Sequence, residues 1–200
     1  MKTNQELKNA ALAALKGNWW PAVLAAFVYM AIACLAELSY YGAVVLLIFV
    51  AFPLAIGFAY TFLKLLNESD SNLTGNMFNI GFKDYWHHVG VYLLYVIKVF
   101  LWTLLLIVPG IIKSISYAMT PYIVIDHPEY TASEAIAASE SMMKGNKWRL
   151  FVLELSFIGW CLLAILTCGI GFLWLIPYMQ TTLAAFYNDV KPAEVTAATV

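Results

Sequence analysis

Four ionisable residues stand inside long apolar runs of this 200-residue chain: Glu37, Lys98, Lys113 and Glu154. A charge held in hydrocarbon is costly, so such residues pair with one another, line a water-filled path or relay protons. Lys98 lies near the middle of the run Val89–Val108. A helical side chain leans toward the N-terminal end of its helix, which brings this ammonium to the depth expected for Glu154. The same reasoning from depth pairs Glu37 with Lys113. Such pairs have two possible uses, fixing helix register or lining a pathway for a small solute. Gln180 and Thr181, directly after Pro177, are placed to hydrogen-bond across helices or to catch a carbonyl freed by a kink.

Other polar groups offer less chemistry. Asp84, His87 and His88 set a carboxylate and an imidazole four residues apart, a spacing that can share a metal or a proton on one helical face. A third ligand at a suitable spacing is missing and HExxH is absent, so no metal site is assigned. Neither GxSxG, a Walker loop nor GxGxxG occurs. The chain is therefore expected to be non-enzymatic, with no catalytic residue and no cofactor. His127 and Glu129 read as a turn.

The elements that must position these residues follow from composition. Hydrophobic residues make up 62% and charged residues 12%, and mean hydropathy is +0.77, against about a quarter charged in soluble domains. The chain reads as one all-α integral membrane domain. A formal net charge of −1 with scattered Lys and Arg excludes a basic nucleic-acid surface. Membrane lipids are the expected partners, with unknown protein partners or a homo-oligomer also open. Cys34, Cys161 and Cys168 sit singly in apolar runs and read as small apolar residues.

A helix needs about 20 mostly apolar residues to cross the hydrocarbon. Five runs qualify or nearly so: Trp19–Leu38, Gly42–Leu63, Val89–Val108, Trp148–Leu166 and Ile170–Tyr187. A sixth, Ile111–Ile125, would extend only about 22 Å. Basic residues arbitrate, because Lys and Arg collect in cytoplasmic loops. With six spans and the N-terminus inside, all of the eleven Lys and Arg except Lys98 and Lys113 fall on the cytoplasmic side. Both termini are then cytoplasmic in an inner membrane. Lys2, Lys8 and Lys16 before the first run resemble a signal peptide, but the run continues past Cys34 and is expected to stay as a span.

The predicted architecture is a polytopic transmembrane bundle of six spans in three hairpins. An amphipathic interfacial helix (1–18) leads into hairpin one (19–66), followed by a cytoplasmic loop (67–88) and hairpin two (89–125). A cytoplasmic amphipathic helix (126–147), hairpin three (148–188) and a cytoplasmic tail (189–200) complete it. LKGNWW at Leu15–Trp20 returns as MKGNKW at Met143–Trp148. Each copy ends an amphipathic stretch at a glycine and opens an apolar run. Lys16, Trp19, Trp20, Lys144, Lys147 and Trp148 are the expected interface anchors, with Trp86 in the weaker version GFKDYW. Each returning run holds a proline, Pro53, Pro121 or Pro177. With Pro109 and Gly110 these are the expected helix breaks, Pro109-Gly110 as the turn of the middle hairpin. Three hairpins repeated in parallel about an axis normal to the membrane would read this way, although any inserted hairpin favours Lys and Trp at its mouth.

The segments LLLIVPGIIKSISYAMTPYI, EAIAASESMMKGNKWRLFVLELSFIGW and LTCGIGFLWLIPYMQTTLAAFY resemble an uncharacterised bacterial integral-membrane family, domain of unknown function 975. The resemblance covers most of the chain and is densest from Pro109 to Tyr187. It implies a multi-span bacterial inner-membrane protein and carries no catalytic residues. A remoter likeness is to the membrane portion of some bacterial glycerophosphodiester phosphodiesterases. Three functional expectations result: a non-catalytic scaffold, accessory or regulatory subunit that responds to lipids; a small-solute transporter or channel component using Lys98 and Glu154; and a lipid-active enzyme.

Overall fold

The computed structural model describes residues 1–38 and 47–191, apart from the side chains of 35–38 and 47. Among these residues the chain is helical and holds no strand. The helices are α1 (Asn4–Leu15), α2 (Trp19–Leu38), α3 (Phe52–Glu68), α4 (Leu73–Lys83), α5 (Tyr85–Leu105), α6 (Ile107–Tyr117), α7 (Thr120–Asp126), α8 (Ala132–Met142), α9 (Lys147–Leu155), α10 (Ile158–Leu166) and α11 (Phe172–Val190). A π-helical turn, Leu47–Ala51, leads into α3.

Four helical segments are long and apolar enough to cross a membrane: Ile48–Glu68, Tyr85–Leu105, Ile107–Asp126 and Lys147–Leu166. A fifth results if α1 and the first part of α2, bent by 98°, form one broken span. Four or five of the six expected spans therefore stand out by length and composition among the described residues. The short run Ile111–Ile125 gains length because α6 starts earlier than expected. The chain breaks at Leu106 in extended backbone, and Pro109 sits in the first turn of α6, where its missing N–H leaves no bond unmade. Pro109-Gly110 is thus inside a helix and not the turn between two. Likewise Pro53 and Pro121 begin α3 and α7, and among the described residues Pro177 alone lies beyond the first turn of a helix. α11 covers the expected last span but is not among the crossing segments. Its second half carries Gln180, Thr181, Thr182 and Asn188.

The repeated sequence sign proves longer than its six letters. Thr3 and Thr131 cap α1 and α8 with the same reciprocal bonds. Their amides donate to Glu6 (2.6 Å) and Glu134 (2.8 Å), whose own amides donate to the threonine hydroxyls. Removing one hydroxyl leaves an orphan N–H at the helix start, so Thr131→Ala is expected to lower the melting temperature by about 2–4 °C in a thermal-shift assay. Leu7, Ala11 and Leu15 are fully buried, and so are Ala135, Ser139 and Met143 at the matching positions. Gly17 (φ 86°) and Gly145 (φ 81°) take the left-handed conformation that ends each helix. Asn18 and Asn146 then donate back to the carbonyls of Ala14 (3.1 Å) and Met142 (3.2 Å).

The apolar stripes of these helices are covered by protein. Each packs against a returning helix: α1 on α11, α4 on α3 and α8 on α7, with α8 also touching α5 and α6. α4 was read as polar loop, yet its residues Leu73, Met77 and Gly81 repeat the buried four-residue spacing of α1 and α8. α1 therefore takes, on the last returning helix, the place that its counterparts take on the first two, and the three units close into a ring. Ser139 of α8 donates to the Ser116 carbonyl (2.9 Å) and accepts from the Met119 amide (3.2 Å), pinning α8 at the break between α6 and α7. Two apolar clusters fill the interior. One runs through α1, α3, α7, α8, α9 and α11 around Tyr122, Phe157 and Phe186. The other joins α1, α2, α3 and α4 around Phe58 and Phe62.

Candidate functional site

The strongest polar convergence lies where the three returning helices meet. Asp126, the last residue of α7, accepts from the Tyr60 hydroxyl of α3 (2.8 Å), the Tyr187 hydroxyl of α11 (2.6 Å) and the Lys191 ammonium just past α11 (2.6 Å). Its side chain is 10% exposed and that of Lys191 16%. A carboxylate at a helix C-terminus is opposed by the helix dipole. The lysine and two hydroxyls offset that repulsion and fill the lone pairs that burial would leave bare. The Tyr187 ring stacks on Tyr122 with centroids 5.0 Å apart, so the group is held rigidly from one side.

A second carboxylate ties the chain start to its last helix. Asp189 accepts from Arg149 (2.7 Å) and from the Lys2 amide (2.9 Å), while Arg149 also donates to the Lys2 carbonyl (2.9 Å). Burial alone would raise the Asp189 carboxyl. The bonds from Arg149 and the Lys2 amide outweigh it and hold the group below its ordinary value.

The expected partner of Lys113, Glu37, has its side chain outside the described residues, and among those residues the lysine has another partner. It meets Glu140 of α8 at 2.6 Å and lies over the rings of Trp102 and Tyr117. The reason is the course of α8, which runs back along α6 and α7 and delivers Glu140 to a lysine expected far from it. The hydrogen bond from Lys113 lowers the Glu140 pKa.

Lys98 and Glu154 do not form an ion pair among the described residues. Glu154 instead shares with Gln180 the lining of a cavity of about 100 Å³ between α9 and α11. The Gln180 carbonyl oxygen is buried there without a partner among the described residues. Thr181 and Thr182 return their hydroxyls to the carbonyls of Pro177 (2.7 Å) and Tyr178 (2.8 Å), one turn back in their own helix, and not to the Leu173 carbonyl that the proline frees. His88 is buried and bonds the Gly81 carbonyl at 2.8 Å, which commits one of its ring nitrogens to structure. His127 bonds Glu129 at 3.0 Å, as the turn reading required. Of the expected anchors, Trp20, Trp86 and Trp148 are exposed, as are Lys16 and Lys144, while Trp19 and Lys147 are half-buried.

Sequence reasoning missed Asp126 and its partners. The donors stand 66, 61 and 65 positions away, beyond any periodicity. One local signal existed, an aspartate ending an apolar helix without a nearby cation.

Residues 103–194 match the model of a family described as Protein of unknown function (DUF975). The match takes in α6 to α11, with Lys113, Asp126, Glu154 and Asp189, and is narrower than the resemblance read from the sequence. No curated protein and no solved structure matches the chain.

Proposed function

We propose that the protein is a non-catalytic helical bundle of a bacterial inner membrane, with both termini in the cytoplasm, serving as a scaffold, accessory or regulatory subunit. One observation carries this reading. The charges brought together by the fold are consumed in holding helices to one another: Asp126 binds α3, α7 and α11, Asp189 binds the chain start to α9 and α11, and Lys113 binds α6 to α8. Charges used as cross-links give a rigid body with defined faces, which suits a subunit that positions others.

The membrane placement rests on where apolar surface is left uncovered. Large exposed apolar side chains gather in two bands, Ile97–Ile112 and Leu155–Trp174, an arrangement that water would penalise and lipid would not. Native Cys168 is exposed in the turn between α10 and α11, which this orientation sets on the periplasmic side. In intact cells a membrane-impermeant thiol reagent is expected to label Cys168 in a protein lacking its other two cysteines. A Ser71→Cys protein lacking all three native cysteines should label only after permeabilisation. The opposite pattern would overturn the orientation.

A second reading has one observation in its favour. Glu154 and the unpartnered Gln180 oxygen line one cavity, an arrangement suited to passing a proton or small cation in a transporter subunit. Proton or cation uptake into vesicles that is lost in Glu154→Gln, with folding kept, would select it.

A further inference from the structure

A cleft of about 430 Å³ opens between the α1–α2 joint and the α10–α11 hairpin, lined by Leu12, Trp19, Trp160, Leu163, Trp174 and Tyr178 among others. Its size falls within the range of roughly 300–1,000 Å³ typical of small-molecule sites, and its walls are almost wholly apolar. Two further features say what belongs there. Trp160, Leu163 and Trp174 are themselves exposed and continue the uncovered band Leu155–Trp174, so the cleft opens onto the surface assigned to lipid. It also has a cationic rim. Lys8 stands one turn before Leu12 on α1, and Lys16, which follows the last residue of α1, comes four positions after Leu12. The Lys8 ammonium lies 4.2 Å from the Phe157 ring centroid, and that ring meets Tyr178 edge-on with centroids 5.2 Å apart. Lys8 donates to the Ser156 carbonyl at 3.2 Å, which leaves two of its three donors to spare. Neither lysine joins an ion pair among the described residues.

We infer that this cleft binds an anionic phospholipid, one acyl chain lying among Leu12, Trp160, Leu163 and Trp174 and the headgroup phosphate held by Lys8 and Lys16. The inference rests on the membrane reading above and names the ligand class that the bundle would respond to. α1 also closes the ring of helices, so a lipid seated against Leu12 bears on the element that completes the fold.

The test is native mass spectrometry of the full chain, purified in mild detergent and offered equal amounts of phosphatidylglycerol and phosphatidylcholine with identical chains. The wild type is expected to retain one phosphatidylglycerol. Leu163→Trp, which fills the cleft from an exposed position, should abolish retention. Trp160→Ala, which removes an exposed ring and spares the core, should weaken it and serves if the first variant fails to fold. Lys8→Gln with Lys16→Gln should lower the preference for phosphatidylglycerol by roughly 25-fold, about fivefold for each lysine. Equal retention of the two lipids by the wild type, or unchanged retention in folded Leu163→Trp or Trp160→Ala, would overturn the inference while leaving the membrane reading intact. A chain that alkaline carbonate strips from the membrane fraction would overturn the reading beneath it.

Discussion

Gly57→Ala is expected to destabilise the protein by about 3 kcal/mol or more and to move most of it out of the monodisperse peak in detergent. A methyl group at Gly57 would strike the Met77 carbonyl oxygen and come within 2.7 Å of the Gly81 amide nitrogen. Those atoms are backbone and cannot rotate aside. The contact is mutual, because a methyl group at Gly81 would come within 2.7 Å of the Pro53 carbonyl oxygen. α3 and α4 thus touch backbone to backbone along two turns, and either substitution must push the helices apart. Separation would uncover Leu54, Phe58, Phe62, Leu73 and Met77, the centre of one apolar cluster, and would draw the Gly81 carbonyl away from His88. Gly90→Ala is the matched control. It lies in α5 with nothing within 4 Å of the added atom, so better helix propensity should stabilise it by up to about 1 kcal/mol. Fluorescence-detected size exclusion on a heated series separates these outcomes. Equal melting of the two variants would mean that α3 and α4 do not make this contact.

That contact also marks where the sequence stops being readable. The stripe of α1 and the cap of α8 are local features that the sequence alone carries. A four-residue spacing of Leu7, Ala11 and Leu15 and a Thr131–Glu134 box need only neighbouring letters. The matching Thr3–Glu6 box is equally local but stands in a polar first turn with no apolar run beside it. α4 failed for a different reason. Asn72, Thr74, Gly75 and Asn76 look like linker, and in a helix Gly75 and Gly81 cost propensity. What overrides that cost is tertiary. Glycine allows the close approach to α3, and Asn76 gives its side-chain amide to Asp70 at 2.8 Å. Pro109 misled in the same way, because a proline reads as a break from its letter alone, whereas its effect depends on whether its position would have bonded an N–H. At the third residue of α6 it would not.

The depth argument fails more deeply for Lys98 and Glu154, which form no ion pair among the described residues. It assumed straight spans and surface-lying connectors, so that residues at one level were bound to meet. With α8 folded back along α6 and α7, Lys113 finds Glu140 instead. Lys113 sits at a contact between α6 and α8 and Glu154 lines a cavity, places that level along a span does not specify. Tertiary course decides partners, and the course is set by stripes that dock one helix on another.

Asp126→Asn is expected to cost about 3 kcal/mol, comparable to breaking a buried ion pair from one side. The amide keeps the shape of the carboxylate but removes its charge, so the largely buried Lys191 loses its counter-ion. One amide oxygen cannot accept from Tyr60, Tyr187 and Lys191 together, and the amide hydrogens would face donors. The three helices α3, α7 and α11 should loosen at this end, since Tyr60 of α3 and Tyr187 of α11 both bond this residue of α7. Tyr187→Phe removes a single hydrogen bond to the charge and is expected to cost about 1.5–3 kcal/mol. The double variant Asp126→Asn with Lys191→Met tests the cause, because it removes the orphaned cation as well as the charge it balanced. If the cluster acts as a cross-link, the double variant should recover much of the loss, with a coupling of about 1–3 kcal/mol in a double-mutant cycle. Additive losses would place the cost in the tyrosine hydroxyls rather than in the ion pair. An unchanged melting point in Asp126→Asn would show that the three returning helices are held by apolar packing alone.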